Sequence, residues 1–518
     1  MNLLHDPLFR VLTDDGREEI SLPELLEALG TDRVHQLVGI QRHQADAFHV
    51  FLTYLAGAVL VRNGDTAPVQ TADYWRAGLF GLSGPTGECA WELVVEDGNK
   101  PAFMQPPLKK AVRPSAEILT PDKLDLLQTA KNHDIKQNRA QRPFVDEWIY
   151  ALISLQTMSG FMGQGNQGIS RMNSGFGNRP IVELVRDRSL GGRWRDAVRR
   201  LLLHRQDVLE QPFGFDPNGL VLIWTEPWDG EEQFTLADLD PFYIEICRRI
   251  RFVRRGDELI AQTYSAKKTR IAAKELNGVV GDPWLPVELA GRGDPKALTV
   301  SPNGLTAELM RRILFGDELG LSKLQAPLSG WSGPFWLTAS VLVRGQGTTN
   351  GFYEWEIMIP RERVKLFFGG GDARDSLADL SRLGIAYAGT MQNRVLKPAI
   401  FALLQGGPSQ LKYDDDTSQS WWSVFARKFE RRWSQDYFAW LLSVPDRFDK
   451  DAEERRWAQI LTKHALSVLE EAEKALPSHT GRRYRGITAL RNRFWSGFYA
   501  EGNFGFMRRE SVGTSSSI

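Results

Sequence analysis

The 518 residues contain only two cysteines, Cys89 and Cys247, and these stand far apart with no C-x-x-C pair. That excludes a zinc ribbon, argues against a disulfide framework and fits a reducing cytoplasm. The eight histidines are scattered. His43 and His49 lie six residues apart, a spacing that puts no metal pair on one helix face, so they are read as packing or surface histidines. No H-E-x-x-H, G-x-S-x-G or Cys/His metal set occurs. No catalytic residue, metal site or cofactor is therefore expected, and a binding subunit is favoured over an enzyme. An excess of charge is lacking too: Lys plus Arg and Asp plus Glu number 64 each. Any nucleic-acid site must then come from local clustering. No run of 18 apolar residues and no signal-peptide pattern appears, so the expectation is a soluble, cytoplasmic protein. Internal repeats are absent as well.

What the chain does have is a glycine-dense stretch from Gly160 to Arg179, GFMGQGNQGISRMNSGFGNR, with six glycines and almost nothing to bury. Glycine contributes no packing, so such density implies unusual dihedrals or close approach to something large. Gly163, Gly165 and Gly168 spell G-x-G-x-x-G, the dinucleotide fingerprint, which requires a strand before it and a helix after. Phe144, Val145, Trp148, Ile149, Leu152 and Ile153 instead recur at helical spacing before it, and no apolar-faced helix can follow. Gly163 and Gly168 also have P-loop spacing, but Ile169 stands where the lysine belongs. A nucleotide- or dinucleotide-binding enzyme on Gly163, Gly165 and Gly168 is the alternative function. A ligand-free surface loop is the plain reading.

Three further stretches are polar or basic. Lys131–Arg142, KNHDIKQNRAQR, gathers Lys131, Lys136, Arg139 and Arg142 with Asn132 and His133. It reads as a solvated loop or as a phosphate-contacting one. Ser265–Lys274 carries Lys267, Lys268 and Arg270 ahead of a Gly/Pro turn. In Leu337–Pro360 two β-type runs flank RGQGTTNG, a hairpin with an extended tip offering Arg344, Gln346, Thr348, Thr349 and Asn350.

For the rest, Leu8–Val11 and Glu19–Leu22 suggest a short hairpin, and Asp46–Val61 a helix. Pro101–Pro121 reads as an irregular connector, Pro180–Arg188 and Leu220–Trp224 as strands, and Trp194–His204 as a helix. Asp240–Arg255 reads as a helix running into a strand, its arginines adding to a positive region. Leu377–Leu404, Ser420–Leu442, Ala452–Ala475 and Gly486–Tyr499 are amphipathic and helix-length, a four-helix bundle by pattern. The acidic run Asp414–Asp416 is read as a solubilising loop. The expected class is α+β: a mixed α/β domain over 1–374 with nucleic-acid-contacting loops, a four-helix bundle over 375–510, and a disordered tail over 511–518.

MNLLHDPLFRVL at the start, PAFMQ at Pro101–Gln105, the polar segment after LDLLQT and GFGNRPIVEL occur in this order. LDPFYIEICRRIR, GDPWLP and VRGQGTTNGFYEWEIMIP follow. As an ordered set they resemble the CasA family, the large subunit of the type I-E CRISPR Cascade complex. The resemblance implies recognition of a protospacer-adjacent motif in double-stranded DNA, help in starting strand separation and R-loop formation, and recruitment of a helicase-nuclease effector. In such systems the protein reads only that short motif, and guide pairing reads the rest. The family's glycine loop, along the minor groove, matches Gly163, Gln164, Gly165 and Asn166. Its minor-groove lysine matches Lys267, Lys268 or Arg270. The hairpin tip Arg344–Asn350 occupies the place of its strand-separating wedge, with Gln346 or Asn350 in the role. Segment 131–142 matches the loop on the 5′ handle of the crRNA, and other Cascade subunits are implied partners. Some members carry a zinc-binding cysteine cluster that this chain lacks.

If segment 131–142 contacts the guide, replacing Lys131, Lys136, Arg139 and Arg142 by alanine should remove counterion release. Incorporation of the subunit into the RNA-bound complex should then fall, with a flatter salt dependence. Normal incorporation across a salt series would make the segment a linker.

Overall fold

The computed structural model describes the chain except for residues 110–111, 127–142, 174–177, 290–292, 329, 332, 346–347, 476–479 and 511–518. The basic segment 131–142, Gln346 and the expected tail 511–518 thus lie outside the described residues. The backbone forms two compact units, Met1–Leu305 with Arg312–Arg361, and Thr306–Arg311 with Glu362–Ile518.

The first unit mixes helices with several small sheets. It opens on an antiparallel hairpin, Phe9–Thr13 with Gly16–Ile20. Helix Leu22–Gly30 follows, where the Glu24 carboxylate accepts from the Ser21 N–H at 2.7 Å, as in a capping box. The organising element is helix Arg42–Asn63, buried at every position from Val50 to Leu60. Its length and apolarity would suit a membrane span, yet 78% of the relevant window is covered by the rest of the unit. It is a core helix. Helices Val145–Met158 and Leu190–Leu209 pack against it. Around them sits one continuous core with fully buried Trp75, Trp91, Trp148, Trp194, Trp224, Trp228 and Trp284.

Two antiparallel sheets position the stretches of interest. In one, Phe335–Gly345 pairs with Thr348–Ile359 on one edge and Ile181–Val185 on the other. In the other, Glu258–Tyr264 lies between Ala116–Ile118 and Arg249–Arg255. Sequence periodicity misjudges Asp240–Arg255, which contains strands Leu239–Ile244 and Arg249–Arg255 and no helix. Nor do its arginines form a solvated face. Arg248, Arg249 and Arg251 are buried, and only Arg254 and Arg255 are exposed.

Pro101–Gln105, expected in an irregular connector, is buried core. The Gln105 amide donates to the carbonyls of Leu93 (2.9 Å) and Phe103 (3.1 Å), and its oxygen accepts from Phe252 N–H (2.7 Å). Gln156 likewise meets all its hydrogen-bonding capacity on Met104, Cys247 and Arg248 backbone. Buried amides must be satisfied in this way, and a single apolar replacement would orphan several backbone groups.

In the second unit four long helical segments follow the expected bundle: 372–404, Asp416–Ser443, Lys450–Ala475 and Thr480–Phe498. The first passes through a π-helical stretch, Met391–Leu396. In Asp416–Ser443 the residues Trp422, Phe425, Phe429, Trp433, Tyr437, Trp440 and Leu441 form the buried stripe, at helical spacing. Asp415 is no mere solubilising charge: it caps the second helix, its carboxylate accepting from Ser418 N–H at 2.8 Å. Trp457, fully buried, stacks on Trp440 at 4.6 Å and donates its indole N–H to the Gly384 carbonyl at 2.8 Å. Gly384 admits that pair, since a Cβ there would lie 2.7 Å from the Trp440 ring.

Trp457→Ala removes the stack and the indole hydrogen bond to Gly384. It should lower bundle stability by about 3–5 kcal/mol, read as a reduced urea midpoint for the helical transition. A midpoint within error of the wild type would show that the site collapses without cost.

Candidate nucleic-acid interface

Helix Val145–Met158 delivers the chain into the glycine stretch, which closes on itself at once. Ile169 N–H donates to the Ser159 carbonyl (3.1 Å), Met162 N–H to Asn166 (2.9 Å) and Asn166 N–H to Gly163 (3.0 Å). Gly163 and Gly165 adopt φ of +99° and +86°, which side-chain-bearing residues rarely enter. Gly168 is needed for a different reason: a Cβ would stand 2.8 Å from the Phe161 nitrogen and 2.9 Å from the Gly160 carbonyl carbon. All three glycines of G-x-G-x-x-G are thereby used within the loop. The element before them is a helix, and the next one described is strand Ile181–Val185. Among the described residues the glycine stretch lacks the strand-before, helix-after context of a dinucleotide site.

The second half of the stretch is not bare polar loop either. Ser170, Arg171, Asn178 and Arg179 are all buried. Arg171 lies 3.7 Å over the Tyr243 ring and donates to the Tyr243 carbonyl at 2.9 Å. Burial works against its charge, but Tyr243, Tyr54 and Glu245 hold the guanidinium protonated. Burial also raises the Glu245 carboxyl above the usual carboxylate range, against the pull of Arg171. Arg179 donates to Asp282 (2.8 Å) and to the Thr157 carbonyl (3.0 Å). These anchors fix the second half of the stretch, while Gln164 and Asn166 ahead of them are exposed.

The lysine-bearing stretch docks directly on this loop. Ala266 N–H donates to the Gly165 carbonyl (2.9 Å), and the Gln167 amide donates to the carbonyls of Ala266 (3.0 Å) and Lys267 (3.1 Å). The N–H groups of Lys267 and Lys268 both donate to Gly230, at 2.8 and 3.0 Å. The two lysine side chains stay exposed. Lys267 meets Glu231 at 2.6 Å, which raises its pKa. The result is one surface carrying Gln164, Asn166, Lys267 and Lys268.

Two expected contact residues are corrected. Arg270 is 3% exposed, packs 4.2 Å over the Phe234 ring, and donates to the carbonyls of Glu226 and Pro227. Burial pushes its pKa down to about 10, so it remains charged at neutral pH, and it holds the loop from inside instead of standing on the surface. Arg344 is 4% exposed, donates to Ser159 Oγ (2.7 Å) and to the Asp125 carbonyl (2.6 Å), and is pushed to about 10 by the same cause. It belongs to no extended tip. The strands run on to Gly345 and Thr348, so only 346–347 separate them. Val343 pairs with Gly351 and Arg344 with Thr349, leaving Asn350 as the extra residue of a bulge, exposed on the strand. Thr349 is half-buried, and Thr348 faces Gly345 in the ladder. Arg344 nevertheless ties this hairpin end to the root of the glycine loop. Three separated stretches thus converge.

No family model matches the chain, and no curated protein matches its sequence. Solved structures do match. Thermus thermophilus CasA (Cse1) superposes with a TM-score of 0.61 at 13% identity, over 96% of this chain and 99% of that one. Cse1 from Acidimicrobium ferrooxidans gives 0.60 at 14% identity, over 98% of both chains. A chain of a CRISPR RNA-guided surveillance complex gives 0.60 at 12% identity, over 96% and 99%. The chain has the CasA fold.

Within that CasA fold, sequence reading misses the residues that assemble the surface. Gln167 lay inside the glycine stretch but carried no mark beyond its amide. Gly230, at φ +96°, was visible only as a turn in WDGEE. Ser265, whose Oγ would lie 2.9 Å from a Cβ at Gly165, had no sequence signal. His43 and His49 contact Asp125 (2.8 Å) and Glu183 (3.5 Å) as ordinary packing partners. Among the described residues no group of His, Cys, Asp and Glu is arranged to hold a metal.

Because its Cβ meets backbone, Gly168→Ala should open the loop. Gly163→Ala meets open space and carries only its φ strain, roughly 1–2 kcal/mol. Hydrogen exchange at Ile169 and Asn166 should accelerate far more in Gly168→Ala. Equal protection in the two variants would refute this assignment of roles.

Proposed function

We propose that this chain is the large subunit of a type I-E CRISPR Cascade complex, a non-enzymatic cytoplasmic subunit that recognises the protospacer-adjacent motif in duplex DNA. It then helps open the adjacent base pairs and serves in recruiting the helicase-nuclease effector. One observation carries the reading: exposed Gln164, Asn166, Lys267 and Lys268 share a surface held together by the Ala266–Gly165 and Gln167 hydrogen bonds. Amides that donate and accept, beside two cations, suit minor-groove edges and flanking phosphates. Only A·T and G·C patterns are distinguishable there, so the reading is permissive. The ordered sequence resemblance and the CasA fold support it, as does the likeness to a chain of an RNA-guided surveillance complex.

The hairpin end supplies the wedge, through Gln346 or Asn350, next to the glycine loop. Opening a base-pair step costs roughly 1.4 kcal/mol in stacking, offset only once a seed heteroduplex has formed. Crossing the first gap calls for a rigid insert, and a paired ladder up to Gly345 and Thr348 makes one. Segment 131–142 contacts the crRNA 5′ handle in this reading.

Gly165→Val, with its Cβ 2.9 Å from Ser265 Oγ at φ +86°, should undock the two loops and weaken target-duplex binding by the assembled complex. Lys268→Ala should weaken initial motif binding, and a pre-melted bubble target should rescue it poorly. A Gln346/Asn350 double alanine variant should slow R-loop formation on linear duplex and be rescued by the bubble. Wild-type duplex affinity for Gly165→Val and Lys268→Ala at matched salt would remove this surface from the DNA site.

A further inference from the structure

A cavity of about 210 Å³ opens beside the glycine loop, lined by Arg248, Arg249 and Arg344, with Asn166 of the loop and Lys123 also in its wall. The three arginines are 8%, 3% and 4% exposed. Among the described residues, none of them lies within 4.0 Å of a carboxylate. Their hydrogen bonds go to uncharged oxygens: Arg248 to Cys247 and Gly160, Arg249 to Ser265, Arg344 to Ser159 and Asp125 backbone. Arg249 keeps Nε and Nη2, and Arg344 keeps Nε, without any partner. Among the described residues the one acid in the wall is Asp125, whose Oδ2 accepts from Gln44 and meets His43 Nε2 while Oδ1 is unpartnered. Three buried cations therefore face one carboxylate, with Lys123 exposed as a further cation.

Arginine does not shed its proton inside a protein, so burying three together without counter-charge is costly. Carbonyl hydrogen bonds satisfy donors but neutralise nothing. A water occupies about 30 Å³, so this cavity has room for a tetrahedral oxyanion with its remaining waters. Planar guanidinium forks match such oxygens in pairs. Leaving exposed Lys123 aside, three buried cations less one carboxylate leave two positive charges, which a phosphate dianion would balance in full and a phosphodiester monoanion in part. We propose that this cavity is an anion site taking one phosphate group, either free inorganic phosphate or a phosphodiester of a nucleic-acid strand. It adjoins the exposed Gln164–Lys268 surface through Asn166, but that surface offers its lysines to solvent while these arginines are buried.

The test uses the full chain alone, without duplex, so its outcome is separate from that of motif recognition. Thermal unfolding is followed while inorganic phosphate is titrated against chloride at equal ionic strength and pH. The melting temperature should rise saturably with phosphate. Arg249→Gln should weaken the apparent affinity about tenfold or more, as loss of a charge-assisted contact implies. Lys123→Glu, on an exposed position where folding should be unaffected, should weaken it several-fold. A short single-stranded oligonucleotide separates the sources. If a phosphodiester occupies the site, strand binding is competed by phosphate and weakened in both variants. If free phosphate does, strand binding is indifferent to both. Absence of any phosphate-specific shift in the wild type would overturn the proposal, as would a shift that persists unchanged in Lys123→Glu and Arg249→Gln.

Discussion

The hydrogen bond from Ala266 N–H to the Gly165 carbonyl joins two stretches a hundred residues apart in sequence. Much of the candidate surface depends on it. Without it the glycine loop would present Gln164 and Asn166 alone, and the lysines would extend from an unrelated turn. Gln167 reinforces the same junction from its side chain, and Gly230 holds the lysine stretch by accepting two N–H groups. A Cβ at Gly165 would stand 2.9 Å from Ser265 Oγ and 3.1 Å from its Cβ at a φ of +86°, so the junction disfavours any side chain there. Glycine is demanded here by the protein's own packing, before any ligand is considered.

Electrostatics gives the region a character that net charge conceals. The whole chain balances 64 cations against 64 anions, yet Arg248, Arg249, Arg270 and Arg344 are buried with hydrogen bonds to carbonyl or hydroxyl oxygens. Burial lowers the pKa of Arg249, Arg270 and Arg344, and in the last two to about 10, so they keep their charge at neutral pH. Charges held in a low-dielectric interior are poorly screened by salt and act at longer range than exposed ones. The exposed Lys267 is paired with Glu231.

The G-x-G-x-x-G string shows how one pattern can arise from different physics. A dinucleotide fold uses its glycines to admit a pyrophosphate at a helix N-terminus. Here Gly163 and Gly165 supply positive φ for a closed loop, and at Gly168 a Cβ would stand 2.8 Å from the Phe161 nitrogen. The flanking helix Val145–Met158 was legible from its apolar period and already spoke against the fingerprint. The use made of each glycine was not, since it depends on atoms brought in from residues 160, 161 and 265.

Sequence by itself determined what is periodic or local. The helix around Asp46–Val61, the strand at Pro180–Arg188 and all four bundle segments could be located because their burial follows a short repeat along the chain. The ordered motifs carried the family resemblance, and the CasA fold agrees with it. Tertiary structure alone decided which polar residues face outward. Arg270 and Lys268 stand two residues apart in the same basic stretch, yet one is buried against Phe234 and the other is exposed. Arg344 looked like a loop-tip cation and is instead interior. An arginine's side chain is long enough to reach carbonyls from several elements, and whether it does is set by where those elements meet. That meeting is a property of packing between distant segments, which no local pattern records.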